Sequence, residues 1–106
     1  MTKELKLKNG TIILVMENDF ENIENWDSAN IACENLGAGW RLPNFNELLE
    51  IFKNKDSFNF ADYGYWSYWS NEVVLDQAYI LNGPDGLKSL SNKSEEAYFR
   101  AVKTKD

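Results

Sequence analysis

The N-terminal residues carry the hydrophobic pattern of a β-hairpin. Residues 5–8 alternate between leucine and lysine, and residues 11–16 form an apolar run rich in β-branched side chains. The Asn9-Gly10 pair between them is favoured in two-residue turns of type I′, which match the twist of the two strands. Because the second strand lacks alternation, we expect both of its faces to be covered.

Residues 26–37 have the spacing of an amphipathic helix. Its expected apolar face consists of Ala29, Ala32, Cys33 and Leu36. Gly37 follows as a C-terminal stop, and Asn25 or Asp27 would cap the N-terminus. We expect Cys33 to be buried on this face.

A second helix is predicted from about Phe45 to Phe52, preceded by a turn. Pro43 cannot continue a helix towards the N-terminus, and it biases Leu42 towards an extended conformation. Asn44 and Glu47 fit a capping box, in which each side chain accepts a hydrogen bond from the backbone N–H of the other residue. The apolar stripe of this helix would consist of Phe45, Leu48, Leu49 and Phe52.

From Phe58 onwards, aromatic residues mixed with Ser, Asn and Gly favour strands and loops. An extended conformation of residues 65–70 would alternate their side chains between two faces. Further strands are predicted at residues 77–81, 87–90 and 96–103, with a turn at 82–86. A hairpin, two helices and then several strands indicate an α+β fold with an antiparallel sheet.

Composition narrows the class of protein. The length of 106 residues suits a single domain covering residues 1–106, and 14% of the residues are aromatic. With a single cysteine there can be no internal disulfide, and with no histidine the usual general base and zinc ligand are both missing. The net charge of −6 argues against binding to nucleic acid, which needs a basic surface. We therefore expect a domain that is not an enzyme.

No segment of the sequence predicts membrane insertion or export. The N-terminal residues contain no continuous apolar core of a signal peptide, and no stretch reaches the roughly 18 apolar residues of a membrane helix. We therefore expect a cytoplasmic protein for the chain as written. If the chain is a piece of a longer exported protein, an extracellular or cell-surface location is expected instead.

The charged residues indicate structural pairs rather than a catalytic set. Arg41 and Glu47 lie on either side of the predicted turn and could pair, and Arg100 lies in an otherwise apolar segment. Structural roles are expected for Trp40, Arg41, Glu47, Trp69 and Arg100. The acidic residues 17–27 offer the oxygen ligands that Ca²⁺ prefers, but they do not fit the EF-hand pattern. A solvated acidic face is favoured over a weak cation site, and no catalytic residue, metal site or cofactor is predicted.

Residues 58–69 contain more aromatic side chains than one face of a strand can bury. Tyrosine and tryptophan supply rigid area with a polar tip, so they often anchor binding interfaces. The surplus therefore suggests a ligand-binding surface that includes the nearby loop, although a core role for the aromatic residues remains open. The candidate ligand-binding residues are Tyr63, Tyr65, Trp66, Asn82 and Asp85.

An ordered set of motifs in this sequence resembles a known bacterial family. The set consists of Trp26, residues 33–36, residues 39–43, Glu47-Leu48, residues 68–70, Ala78-Tyr79, Asp85-Gly86 and residues 98–103. In order and rough spacing these motifs resemble the bacterial domain of unknown function 1566, a family that includes the C-terminal domain of the Legionella collagen-like adhesin. The resemblance covers the chain from about Trp26 to Lys103.

The resemblance implies a C-type-lectin-like fold, with two helices packed on a mainly antiparallel sheet, a long loop region, and adjacent N- and C-terminal strands. The animal lectins of this fold hold a glycan through calcium, using a Glu-Pro-Asn or Gln-Pro-Asp loop that this chain lacks. Calcium-dependent sugar binding is therefore not implied. Formylglycine-generating enzymes share the broad fold and use two active-site cysteines, whereas this chain has only Cys33.

Three functional hypotheses follow. The leading one is a non-catalytic binding module whose loop aromatics recognise a glycan or a protein partner. The alternative is an interaction or assembly protein, a homo-oligomer formed through a sheet edge or an aromatic patch. The third is an enzyme related to the formylglycine-generating group.

Overall fold

The computed structural model describes residues 2–20, 22–58, 66–83 and 86–105. In chain order the elements are β1 (Thr2–Lys6), β2 (Ile12–Met16), α1 (Trp26–Glu34), α2 (Phe45–Lys53), a short 3₁₀ helix (Lys55–Ser57), β3 (Trp66–Val74), β4 (Gln77–Gly83), β5 (Leu87–Asn92) and β6 (Val102–Thr104). The α+β class expected from the sequence is confirmed.

The described strands form two antiparallel three-stranded sheets, in the orders β1-β2-β6 and β3-β4-β5. The resemblance implied a mainly antiparallel sheet, and the described strands divide into two. The first and last strands share a sheet, but β2 lies between them, so they are not adjacent. β2 suits the central position because its residues are apolar throughout, whereas β1 carries charged side chains.

The β1–β2 hairpin forms as expected, but its turn is not of type I′. The N–H of Leu7 donates to the carbonyl of Thr11 at 2.7 Å, which leaves residues 8–10 in the loop. The N–H of Gly10 donates back to the carbonyl of Leu7 at 3.0 Å, and Gly10 has a φ of 92°. A type I′ turn needs positive φ at both central residues, but Asn9 does not have it. The loop is the three-residue type, in which glycine follows a type I turn.

Helix α2 begins with the expected capping box. The Oδ1 of Asn44 accepts a hydrogen bond from the N–H of Glu47 at 2.8 Å, and the Glu47 carboxylate accepts one from the N–H of Asn44 at 2.9 Å. Phe45 and Leu48 are buried as expected, and so is Ile51, which the expected stripe omits. The other two residues of that stripe are half-buried.

Helix α1 is capped by Asn25, whose side chain accepts a backbone N–H of the first turn at 2.9 Å. Ala29 and Cys33 are fully buried, as the helical spacing predicts. Leu36, expected on the same face, is instead 45% exposed. The reason is that the helix ends at Glu34, so Leu36 no longer follows the helical spacing.

The β3-β4-β5 sheet lies between the two helices. Its α1 face carries Trp69, Ala78 and Ile80, which pack with Ala29 and Cys33. Its α2 face carries Tyr68 and Leu81, which pack with Phe45 and Leu48. Because both faces are covered, the neighbouring aromatic residues Tyr68 and Trp69 are both fully buried.

The final strand predicted for residues 96–103 is wrong, because only β6 forms a regular strand there. The residues before β6 run between the two sheets. The carbonyl of Tyr98 accepts the N–H of Trp69 at 3.0 Å on one side, and the carbonyl of Phe99 accepts the N–H of Phe20 at 3.1 Å on the other. Both sides contribute only isolated backbone hydrogen bonds, so no continuous ladder forms.

Candidate functional site

Two of the candidate ligand-binding residues lie at the same end of the β3–β4 hairpin. β3 begins at Trp66, and the strand register pairs Trp66 with Gly83. The next pair along the hairpin is Ser67 with Asn82. Tyr63, Tyr65 and Asp85 lie outside the described residues. We call these two residue pairs the Trp66 end of the hairpin.

Asn82 ties the edge strand β5 to the Trp66 end. Its Nδ2 donates to the Oγ of Ser89 at 2.6 Å and to the carbonyl of Leu87 at 3.4 Å. Its own carbonyl accepts the N–H of Gly86 at 2.6 Å. Gly86 packs directly on α2, since a Cβ there would lie 2.8 Å from the ring of Phe52. The Trp66 end is therefore fixed to α2 through the start of β5.

Further along β3, two indole N–H groups link this strand to the start of α1 and the residues just before it. The Nε1 of Trp69 donates to the carbonyl of Glu24 at 2.8 Å, and the Nε1 of Trp26 donates to the carbonyl of Ser70 at 2.9 Å. Trp69 is fully buried, and Trp40 is half-buried against the same cluster. Trp69 therefore lies in the core, and Trp40 lies at its edge.

Arg41 and Glu47 form a bidentate ion pair at the start of α2. The Nη1–Oε1 distance is 2.6 Å and the Nη2–Oε2 distance is 2.8 Å. Arg41 also donates to the hydroxyl of Thr104 at 3.1 Å. The hydrogen bond with Glu47 raises the pKa of Arg41 above its usual value, against the lowering effect of partial burial. The pair joins the turn before α2 to β6, which is a structural function.

Arg100 is fully buried, and its acidic partner is Asp19. The Nε and Nη2 of Arg100 donate to the Oδ1 of Asp19 at 3.0 and 2.6 Å. The hydroxyl of Tyr68 donates to the Oδ2 of Asp19, and the Nη1 of Arg100 donates to two backbone carbonyls at the end of β2. The sequence did not single out Asp19, because it is one of several acidic residues in the segment 17–27.

The cysteine and the acidic segment show no arrangement for catalysis or metal binding in the described part of the chain. Burial raises the pKa of the Cys33 thiol to about 12, and the nearby Glu34 adds to the rise. A thiol of this kind stays protonated near neutral pH and is a poor nucleophile. Across the described ranges, no group of three or more His, Cys, Asp or Glu residues is placed to hold a metal ion.

A groove of about 340 Å³ lies between the β1–β2 loop and helix α2. Its lining includes two leucines, Leu7 and Leu49, and two lysines, Lys8 and Lys53. The remaining lining residues are Asn9, Asn44, Asn46, Glu47 and Glu50. Its volume is within the usual range of about 300–1,000 Å³ for small-ligand sites. We call it the α2 groove.

The other end of the β3–β4 hairpin is apolar and exposed. Val73 and Val74 are 46% and 44% exposed, and Leu75 is 89% exposed. Leu75 has a φ of 55°, a left-handed conformation that is strained for a residue with a Cβ. The sequence-based hypotheses gave these residues no role, although three consecutive apolar residues before Asp76 were a visible signal. We call residues 73–76 the β3–β4 tip.

Comparison with protein-family models gives no match, and a search of curated proteins gives none either. No helix among the described residues has the length and apolar character needed to cross a membrane. The function therefore has to be inferred from the fold and from the side chains described above.

Proposed function

We propose that this protein is a non-catalytic binding module with a C-type-lectin-like fold, which recognises a glycan or a protein partner at the Trp66 end of the β3–β4 hairpin. Two features support the fold assignment. The two helices pack on an antiparallel sheet, and the first and last strands share a sheet.

The observation that carries the proposal is the pairing of Trp66 with Gly83. This pairing puts Trp66, which follows Tyr65 in the chain, opposite Gly83, which precedes the loop containing Asp85. Aromatic side chains supply large rigid contact area, and side-chain amides such as that of Asn82 supply hydrogen bonds that orient a ligand. Trp66 and Asn82 are residues of these two kinds.

The buried carboxylates already have hydrogen-bond and ion-pair partners, and this supports a binding rather than a catalytic role. The Glu47 carboxylate bonds to Arg41 and to the capped backbone, and Asp19 bonds to Arg100 and Tyr68. A general acid or base must be free to exchange a proton with a substrate. These carboxylates are instead committed to holding the fold.

A glycan array and a panel of purified candidate proteins, probed with the purified chain, test the proposal. For any ligand found, Trp66→Ala should weaken binding about 5–30-fold, as the loss of an aromatic anchor commonly does. Leu75→Asn, at the opposite end of the same hairpin, is the matched control and should leave the affinity unchanged.

Two outcomes would contradict the assignment. An unchanged affinity in a folded Trp66→Ala protein would remove the Trp66 end from consideration. If Trp66→Ala unfolds the protein while its remaining folded fraction binds normally, Trp66 has a core role. The binding surface would then have to be sought on the acidic segment 17–27.

One observation favours the second candidate function, an assembly protein that uses a sheet edge. β5 is the edge of its sheet, and Leu87 and Leu90 on it are 61% and 39% exposed. Unpaired edge strands can pair with another chain. Loss of self-association in Leu87→Asn would support this function.

A further inference from the structure

We propose that two copies of this chain form a dimer in which the β3–β4 tip of each copy inserts Leu75 into the α2 groove of the other. This surface is distinct from the Trp66 end, because the two lie at opposite ends of the β3–β4 hairpin. The inference does not depend on the proposed ligand-binding function.

The tip has the character of a contact surface. Leu75 occupies the first central position of a two-residue hairpin turn, since Val74 pairs with Gln77. Positive φ at this position favours Gly, Asn or Asp, yet a leucine that is 89% exposed stands there. An apolar side chain in a strained and exposed turn is unfavourable for the isolated chain. Burial against a partner would offset that cost.

The α2 groove offers matching space and apolar lining. Its volume of about 340 Å³ is large enough for a leucine side chain together with part of a neighbouring valine. Leu7 and Leu49 line it and would contact the inserted Leu75. Neither residue is fully buried in the single chain, so insertion would remove further apolar area from water.

The charges of the two surfaces are complementary. Asp76 lies beside Leu75 at the tip. Among the charged residues that line the groove, Glu47 pairs with Arg41 and Glu50 pairs with Lys53, so the positive charge of Lys8 is left uncompensated. Within the described residues, neither Asp76 nor Lys8 takes part in an ion pair. Docking would bring the carboxylate of Asp76 towards the ammonium group of Lys8.

The base of the tip adjoins the start of α2, which borders the groove, and this proximity favours a closed dimer. The base of the tip is bound to the start of α2, since the Oε2 of Glu72 accepts the N–H of Phe45 at 2.7 Å. The N–H of Asn71 also donates to the carbonyl of Pro43 at 2.8 Å. The tip is therefore a neighbour of Asn44, which lines the groove. A two-fold axis can then place each tip in the opposite groove and leave none unfilled.

Sedimentation velocity of the purified chain over a range of concentrations tests this inference. The chain should pass from monomer to dimer as its concentration rises, and Leu75→Asn should weaken dimerisation at least about tenfold. At concentrations where both proteins are monomers, Leu75→Asn should also raise the thermal midpoint, because Asn tolerates positive φ. A merely structural Leu75 would not show this combination.

Leu87→Asn is the matched control, since it removes an exposed leucine from a different edge of the protein. It should leave dimerisation unchanged. Lys8→Asp and Asp76→Lys should each weaken the dimer, and their combination should restore part of the loss. The proposal is overturned if the protein stays monomeric at every concentration, if Leu75→Asn dimerises normally, or if Leu87→Asn abolishes the dimer.

Discussion

The guanidinium of Arg100 and the carboxylate of Asp19 form an ion pair inside the protein between residues 81 positions apart in the chain. The Nη2–Oδ1 distance is 2.6 Å, the Arg100 side chain is fully buried, and that of Asp19 is 10% exposed. The pair connects the segment that follows β2 to the segment that precedes β6. It therefore adds a side-chain link between two irregular segments that otherwise share only scattered backbone hydrogen bonds.

Removal of the acidic partner should destabilise the protein strongly. Asp19→Ala leaves the guanidinium of Arg100 buried without its counter-charge, which should lower the free energy of unfolding by about 3–5 kcal/mol. Glu4→Ala is the control, because it breaks an ion pair with Lys105 that is about half exposed and should cost at most about 1 kcal/mol. Urea unfolding at neutral pH measures both. Similar small losses in the two variants would contradict the structural role of the buried pair.

The two functions of Glu47, capping and ion pairing, can be separated by substitution. Glu47→Gln keeps an oxygen that can accept the N–H of Asn44 but removes the charge that faces Arg41. Glu47→Ala removes both, so its loss of unfolding free energy should be the larger. Asn44→Ala removes one of the two capping bonds and should cost about 0.5–2 kcal/mol.

The size of the ion-pair contribution is limited by solvent. The Arg41 side chain is 32% exposed, so water screens its interaction with the buried Glu47 carboxylate. Glu47→Gln should therefore destabilise the protein less than Asp19→Ala does. Urea midpoints of the four variants rank these effects, and a Glu47→Gln protein as unstable as Glu47→Ala would show that the charge, not the cap, is decisive.

The elements that the sequence predicts well are those fixed by local interactions. The capping box needs only Asn44 and Glu47, which are three residues apart, and the β1–β2 hairpin needs only adjacent strands. Even there, the type of turn depends on the register. In the observed register Lys6 pairs with Ile12, and the loop therefore has three residues instead of the two that the Asn-Gly pair predicts.

The elements that the sequence does not predict depend on contacts between distant segments. The partner of Arg100 could have been any acidic residue, and Asp19 is selected by the path of the chain after β2. The segment before β6 is rich in apolar residues like a strand, yet it makes only isolated backbone bonds to β3 on one side and to the segment around Phe20 on the other. The tip at Leu75 breaks the local rule that positive φ favours glycine, which is why composition alone gave it no role.

Cys33 should give the protein a stability that declines at alkaline pH. Burial disfavours the thiolate and raises the pKa of the Cys33 thiol from 9.0, its ordinary value, to about 12 in the folded protein. Its contribution is complete below pH 9.0 and is lost as pH rises towards 12, since only the unfolded state releases the proton there. The expected slope is at most about 1.4 kcal/mol per pH unit.

Cys33→Ala provides the reference for this measurement, since tyrosine and lysine residues titrate in the same range in both proteins. The difference in unfolding free energy between protein and variant should shrink as pH rises above 9.0. In the folded protein the thiol should also react slowly with an aromatic disulfide reagent and rapidly in urea. Rapid labelling without urea would show that the Ala29–Cys33 face of α1 opens readily.

Gly10 and Gly86 both have positive φ but differ in the space around them. Gly10 has open space where a Cβ would lie, whereas a Cβ at Gly86 would lie 2.8 Å from the ring of Phe52. Gly10→Ala adds only backbone strain and should lower the free energy of unfolding by about 1–2 kcal/mol. Gly86→Ala must also displace the Phe52 ring, which should raise the loss to about 2–5 kcal/mol. Urea unfolding measures both, and equal losses would mean that the start of β5 is not held against α2 through Phe52.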